Sequence, residues 1–222
     1  MSDMTGAAAA GAEGAGVESA GVEESMGAAA AGPTAGWKRT KFTFKVQRPW
    51  DREEVRHYKL ASDTHTLRVH STDEPFEQGS RTDPRAEMRW NEEYSTGRHM
   101  WDGDVFLKRG SDGATFVQIL RTKRPEGSAT TDFMLNVYDQ DGGTVKLYSR
   151  RTIATGMYER WFNVKIAHDA TAGTIKVWFD DKPVYSGRDE GRVTARHFKN
   201  GLYHHGEGLA QVQFRNLTYW TR

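Results

Sequence analysis

The stretch "ERWFNVKIAHDATAGTIKVWFDDKPVYSG", residues 159–187, decides the fold class. Its large apolar residues alternate with polar ones in two runs, Phe162, Val164 and Ile166, then Ile175, Val177 and Phe179. Because successive side chains of a strand point to opposite faces, this alternation predicts two half-buried strands. Turn-forming residues separate the two runs, so we expect the strands to pair with each other.

The same period of two recurs along the chain from Trp37 onward. Further candidate strands cover residues 41–47, 65–71, 85–91, 102–110, 114–122 and 209–220, with two more in "DFMLNVYDQDGGTVKLYSRRT", residues 132–152. We expect 102–110 and 114–122 to form a hairpin around Gly110 to Gly113. Short strands separated by turn signals at regular spacing predict an all-β antiparallel sandwich or barrel, and no useful helical period appears.

Composition excludes several classes of protein. The chain has 222 residues, a formal net charge of +1 and no cysteine. A nearly neutral chain with dispersed basic residues gives no reason to expect nucleic acid as a partner. Without cysteine, disulfides and thiolate metal sites are ruled out, and no run of residues is apolar enough for a transmembrane helix. We expect no metal, no cofactor and no membrane partner, and a monomer.

The first 35 residues differ from the rest, because they are rich in Ala and Gly and nearly free of large apolar side chains. Such a segment buries too little surface to offset its ordering entropy, so we expect a disordered tail or linker over 1–35 and one domain over 36–222. The basic start and apolar run of a secretory signal are not recognisable here. A tether to a partner module is the alternative interpretation of the tail.

Polar side chains also occur on strand faces, first in "RAEMR", residues 85–89. Alternation places Arg85, Glu87 and Arg89 on one face. Two guanidinium groups that flank a carboxylate form a rigid, bidentate binding site for anions such as carboxylates. A solvated strand face with a cross-strand ion pair is the simpler alternative.

Two other candidate strands also carry polar side chains on a strand face. Gln118 is a lone amide in the apolar strand 114–122, and a buried amide needs partners from the backbone or from a ligand. In "ARHFKNGLYHHGEG", residues 195–208, one face carries His197, Lys199, Gly201, Tyr203 and His205. Gly201 has no side chain, so a ligand could approach the backbone there. An exposed aromatic and basic edge strand is again the simpler alternative.

Together, the motifs "RAEMR" (85–89), "QIL" (118–120) and "HFKNGLYHH" (197–205) resemble the β-jelly-roll polysaccharide lyases, the alginate lyases of family seven and the related glucuronan lyases. The patterns of that family run close to R-(S/T)-E-L-R, Q-(I/V)-H and Y-F-K-A-G-x-Y-x-Q, in the same order. The resemblance covers the chain from about residue 37 to its end. It implies a concanavalin-like jelly roll that cleaves a uronic-acid polysaccharide by β-elimination.

The resemblance also implies roles for individual residues. Arg85 and Gln118 would bind the uronate carboxylate and stabilise the enolate-like intermediate. Tyr203 would protonate the leaving oxygen O4, and could also remove the C5 proton if nearby cations favour its phenolate. Binding roles fall to the other polar residues of the three motifs: Glu87 would orient the cations, Arg89 would hold a neighbouring uronate, Lys199 would tune Tyr203, and His197 and His205 would contact substrate.

The chain departs from the family at Leu120, which stands where the family has histidine. Leucine can neither accept nor donate a proton. Three interpretations follow: an imidazole from elsewhere replaces it, with His70 and His99 as candidates, or Tyr203 serves as both base and acid, or catalysis is lost.

The sequence therefore predicts an enzyme, a lyase that cleaves an anionic polysaccharide such as alginate or glucuronan. A non-catalytic carbohydrate-binding jelly roll is the main alternative, with Leu120 in its favour, and a structural or surface-display protein is a third. The substrate class implies an extracellular setting.

Overall fold

The fold is described from a computed structural model that covers residues 32–122, 130–191 and 195–222. Within these residues the chain forms fifteen strands. They are β1 (Lys38–Thr40), β2 (Phe44–Gln47), β3 (Tyr58–Ala61), β4 (Thr64–His70), β5 (Arg85–Trp90), β6 (Arg98–Leu107), β7 (Ala114–Thr122), β8 (Thr131–Tyr138), β9 (Thr144–Leu147), β10 (Arg151–Ala154), β11 (Trp161–Asp169), β12 (Thr174–Phe179), β13 (Lys182–Arg188), β14 (Ala195–His204) and β15 (Leu209–Thr221). Two 3₁₀ turns, Glu54–Arg56 and Gln140–Gly142, are the helical segments of the described chain, and neither is long enough to cross a membrane.

The strands form two antiparallel sheets. The back sheet has the order β13-β12-β11-β6-β15-β4-β3, and β1 also pairs with β15. The site sheet has the order β10-β9-β8-β7-β14-β5-β2. The sheets pack face to face, since the apolar residues of both bury in one cluster. The predicted all-β jelly-roll sandwich is confirmed.

Two of the predicted strand pairs are present, and one is wrong. β11 pairs with β12 and β8 pairs with β9, as the alternation indicates. The expected hairpin between 102–110 and 114–122 does not form, because β6 lies in the back sheet and β7 in the site sheet. The turn at Gly110 to Gly113 therefore joins the two sheets, which local turn residues alone do not reveal.

The predicted tail over residues 1–35 lies outside the described residues except for its last four. These form a turn before β1, in which the Ala35 amide donates to the Gly32 carbonyl over 2.9 Å. The boundary between tail and domain stays a prediction.

Aromatic side chains fill the core between the sheets, and one buried amide fixes two of them. Trp90 of β5 and Trp101 of β6 are fully buried, from opposite sheets. Their indole N–H groups both donate to Oδ1 of Asn200, over 2.8 Å and 3.4 Å. Buried indole donors need an acceptor, so Asn200 satisfies both and links the sheets across the core.

A buried ion network closes one end of the sandwich. Arg196 of β14 contacts Asp132 of β8 and, over 2.8 Å, Asp189 beyond β13. Asp189 also accepts from Nε2 of His168 in the back sheet over 3.1 Å. Because every charge in it has an opposite partner, the network holds the start of β14 in the site sheet and links it to His168 of the back sheet.

Gly201 lets β14 and β5 approach closely in the centre of the site sheet. Its φ is +145°, and a Cβ there would lie 2.3 Å from the Ala86 carbonyl oxygen and 2.5 Å from the Glu87 Cα. The register between β14 and β7 also shifts between Asn200 and Tyr203, whereas the register with β5 stays regular. The glycine therefore serves local packing of the backbone beside Tyr203.

We expect Gly201→Ala to lower the free energy of unfolding by about 2 to 4 kcal/mol, from backbone strain and the clash with β5. Urea denaturation of both proteins measures the difference. Gly79→Ala is the matched control, because Gly79 has φ of +79° but no atom within 4 Å of the added Cβ. It should cost about 1 kcal/mol; equal losses in the two variants would contradict the close-approach argument.

Candidate functional site

The three motif strands are neighbours in the site sheet, with β14 between β7 and β5. Lys199 lies opposite Gln118 on one side and Arg89 on the other. Tyr203 lies opposite Arg85, and Gly201 opposite Glu87. Because paired residues point to the same face, these predicted site residues share the outer face of the sheet, which we call the site face.

Glu87 is the centre of the site face. Its carboxylate is buried with 1% of the residue exposed, and it accepts hydrogen bonds from Lys199 Nζ and, over 2.5 Å, from Gln118 Nε2. Arg85 Nη1 lies 3.7 Å from it. Burial lowers the pKa of the Lys199 ammonium, and Glu87 opposes that shift. The carboxylate thus contacts Lys199 and Gln118 directly and lies beside Arg85; its orienting role stays a prediction.

Arg85 keeps donor groups that no side chain of the described residues uses. Its separation from Glu87 exceeds a hydrogen bond, and its Nε is buried without a partner among the described residues. Arg85 and Lys199 line a cavity of about 210 Å³. Its other walls come from the sheet and from the loop before β5, namely Gln47, Leu120, Phe76, Glu77, Ser80 and Thr82. We call it the carboxylate cavity, since a guanidinium with free donors matches a carboxylate.

Tyr203 stands between a cation and an imidazole. The Arg85 guanidinium lies 4.4 Å from the centre of its ring, and the His205 ring lies 4.2 Å away, edge to face. Burial raises the pKa of Tyr203, and Arg85 only partly opposes the rise. Arg85 favours the phenolate as expected, but burial outweighs it, so the neutral phenol is a proton donor.

His205 is exposed at the end of β14 and is held by a carboxylate. Its Nδ1 lies 2.6 Å from Oδ2 of Asp83. It lines a second, open cleft of about 700 Å³, together with Met134, Asn136, Tyr138 and Tyr148. The lining of this cleft also includes the charged residues Asp112, Arg150 and Glu190. The two neighbours of the Tyr203 ring line one cavity each, Arg85 the carboxylate cavity and His205 the cleft.

His197 is placed differently. It lies opposite Leu120 but is buried, with 1% of the residue exposed, and both ring nitrogens lack a partner among the described residues. Burial, with Arg89 and Lys199 nearby, lowers the pKa of His197 to about 3. In this structure the imidazole is neutral and closed to solvent.

Three predicted residues lie away from the carboxylate cavity. Arg89 is on the site face, but it donates to Glu93 and, over 3.0 Å, to the Trp90 carbonyl. His70 and His99 lie in the back sheet, where His70 contacts Thr72 and His99 contacts Tyr219. Neither imidazole can replace the missing histidine beside Gln118, because strand pairing puts them in the other sheet.

Sequence reasoning missed Asp83 and the second cleft. Asp83 lies in the loop between β4 and β5, whose path alternation does not describe. Asn136 and Tyr138 could have been found, because they alternate with Leu135 and Val137 and so face outward with Met134. Within the described parts of the chain, no group of three His, Asp or Glu side chains could hold a metal ion.

Comparison with known proteins gave one curated relative and many similar structures. No family model matches the chain. A "Citrate-binding protein" of Hevea brasiliensis is 30% identical over 178 residues, which is 78% of this chain and 71% of the relative.

Among solved structures, an alginate lyase from Pseudomonas aeruginosa is 16% identical with a TM-score of 0.65, over 81% of this chain and 98% of that chain. A family 7 alginate lyase in complex with a substrate is 15% identical with a TM-score of 0.59, over 81% and 93% of the two chains. At this identity the similarity concerns the fold, which the chain shares with those lyases.

We expect His197→Leu to reduce the loss of stability in acid. A folded-state pKa of about 3, below the ordinary histidine value of 6.5, means that only the unfolded state binds the proton as the pH falls below 6.5. Stability is therefore lost between those values, on the order of a few kcal/mol, and the variant should lose less. Urea denaturation at pH 7, 5 and 4 gives the comparison, and parallel acid losses in both proteins would exclude a buried neutral His197.

Proposed function

This chain belongs to the citrate-binding protein family, and we propose that its carboxylate cavity binds the uronate groups of an anionic polysaccharide, which it cleaves by β-elimination. Citrate and a uronate share the carboxylate, and the chain has the fold of alginate lyases. The proposal includes alginate and glucuronan as candidate substrates, and an extracellular setting, where such polymers occur.

The observation that carries the proposal is the unused donor capacity of Arg85 at the cavity. Glu87 neutralises Lys199, with which it is in direct contact, so the second cation lacks a full counter-charge. A guanidinium that is only partly compensated, at a partly buried site, attracts an anion more strongly than it would in water, because the local dielectric is lower. A ligand carboxylate would supply the missing partner in bidentate geometry.

The chemistry follows from that contact. A proton on the carbon next to a carboxylate becomes acidic when the carboxylate charge is neutralised, here by Arg85. Loss of the C5 proton leaves an electron pair that forms the C4–C5 double bond as the C4–O4 bond breaks. Tyr203, which burial keeps protonated, donates its proton to the leaving O4. The product is a shorter chain that ends in an unsaturated uronate.

The test is incubation with alginate, polymannuronate, polyguluronate and glucuronan while ultraviolet absorbance of the unsaturated product is followed. Absorbance growth with at least one polymer supports cleavage. Silence on all four, with binding to at least one of them, would contradict the lyase and leave the carboxylate site standing.

We expect Tyr203→Phe to lower kcat at least 100-fold, because the leaving oxygen then departs without a proton. The affinity for the polymer should change less than threefold, since Arg85 still holds the carboxylate. Arg98→Gln, in the back sheet and on exposed surface, is a control that should keep full activity. A fully active Tyr203→Phe enzyme would refute the acid assignment.

A second candidate function is carboxylate binding without cleavage. Leu120 favours it, because this residue lines the cavity where a proton-transferring imidazole would stand, and the Hevea relative carries the name of a binding protein. Under this function the protein would bind citrate itself.

We expect citrate to bind with a dissociation constant that rises at least tenfold in Arg85→Gln, as measured by isothermal titration calorimetry. That loss corresponds to a charge-assisted bidentate contact. Arg98→Gln is again the matched control. Equal affinities of wild type and Arg85→Gln would remove the cavity from both candidate functions.

A further inference from the structure

An elimination needs a base at C5, and the groups first considered for that role do not fit it. His70 and His99 lie in the other sheet, and burial keeps the Tyr203 phenol in its protonated form. We propose that His205, oriented by Asp83, is the base that removes the C5 proton, while Tyr203 acts as the acid. This inference rests on the proposed function.

The hydrogen bond to Asp83 sets the orientation and tautomer of the imidazole. Nδ1 of His205 lies 2.6 Å from the Asp83 carboxylate, which can only accept, so Nδ1 carries a hydrogen. In the neutral ring the lone pair is then on Nε2. A base whose second nitrogen is held by a carboxylate is the arrangement that general-base catalysis uses.

The backbone around His205 is held from two sides. Its own amide donates to the Gly113 carbonyl over 3.3 Å, and the His204 amide donates to the Pro84 carbonyl over 3.0 Å. The next residue, Gly206, packs so closely that a Cβ there would lie 2.0 Å from the Asp112 carbonyl oxygen. The imidazole therefore extends from a fixed turn.

His205 is also next to the acid and open to substrate. Its ring is 4.2 Å from that of Tyr203, whose own ring is 4.4 Å from the Arg85 guanidinium. Arg85, Tyr203 and His205 are thus consecutive neighbours on the site face, within reach of a single uronate residue. His205 also lines the open cleft of about 700 Å³, so a polymer can reach it.

Other histidines of the described chain near this face do not compete. His197 is closed to solvent. His204 is buried and its Nε2 contacts the Gly208 carbonyl over 3.2 Å.

The proposed step balances. Nε2 of His205 takes the C5 proton, the C5 electron pair forms the C4–C5 double bond, and the C4–O4 bond breaks. O4 takes the Tyr203 proton. The imidazolium and phenolate that remain are restored when a proton passes from His205 to Tyr203, directly or through water, and no oxidant or other co-reactant is needed.

The experiment compares His205→Ala and His205→Asn with wild type on the polymer that wild type cleaves. We expect kcat to fall about 100- to 10,000-fold in both, with polymer affinity within threefold. Added imidazole should restore part of the rate in His205→Ala, and less in the bulkier His205→Asn. Asp83→Asn, which removes the orienting charge, should lower kcat about tenfold and leave KM unchanged.

Glu207→Gln, an exposed change in the same turn, is the control and should keep the wild-type rate. His205 variants that keep at least one third of the wild-type kcat would overturn the inference while the lyase function stands. A loss of polymer affinity with kcat unchanged would also overturn the inference. The same holds if added imidazole restores none of the rate lost in His205→Ala. A wild-type protein that cleaves none of the four polymers would instead overturn the lyase function, and the base assignment with it.

Discussion

The site face depends on the buried carboxylate of Glu87. Removing an ammonium such as that of Lys199 from water costs several kcal/mol unless an opposite charge and hydrogen bonds replace the solvent. Glu87 supplies that charge and binds the Gln118 amide with its other oxygen. With the carboxylate engaged by both, Arg85 at 3.7 Å is only partly compensated. The positive charge that is left over lies at the cavity, where a ligand can use it.

The geometry around this charge comes from β14. Regular pairing with β5 brings Tyr203 opposite Arg85, and Gly201 allows the two backbones to approach beside Glu87. The irregular register between β14 and β7 is confined to Gly201 and the next residue, Leu202. A side chain at Gly201 would push apart the strands that carry the acid and the carboxylate holder. The packing of β14 against β5 and the position of Tyr203 beside Arg85 thus both depend on Gly201.

Much of the fold could be predicted from the sequence because strand alternation is a local property. The bounds of β7 follow from its pattern alone, and so do the outward directions of Gln118 and Tyr203. Whether two consecutive strands pair depends on the whole fold and not on their local sequence. The expected hairpin between β6 and β7 was wrong because β6 pairs with β11 and β15, whereas β7 pairs with β8 and β14. Asp83 could not be predicted as a partner of His205, since 122 residues separate them and the loop has no periodicity.

The position of the imidazole matters less to an elimination than its relation to the acid and the carboxylate holder. A histidine beside Gln118 would have approached the sugar from β7. Under the proposed mechanism, His205 approaches from the end of β14, with Asp83 orienting it and Tyr203 beside it. Under both proposed functions Arg85 and its cavity bind a carboxylate, which citrate and uronate share. Under this mechanism, a family member that cleaves differs from one that only binds by a proton acceptor within reach of C5. In this chain His205, which directly follows β14, would supply it.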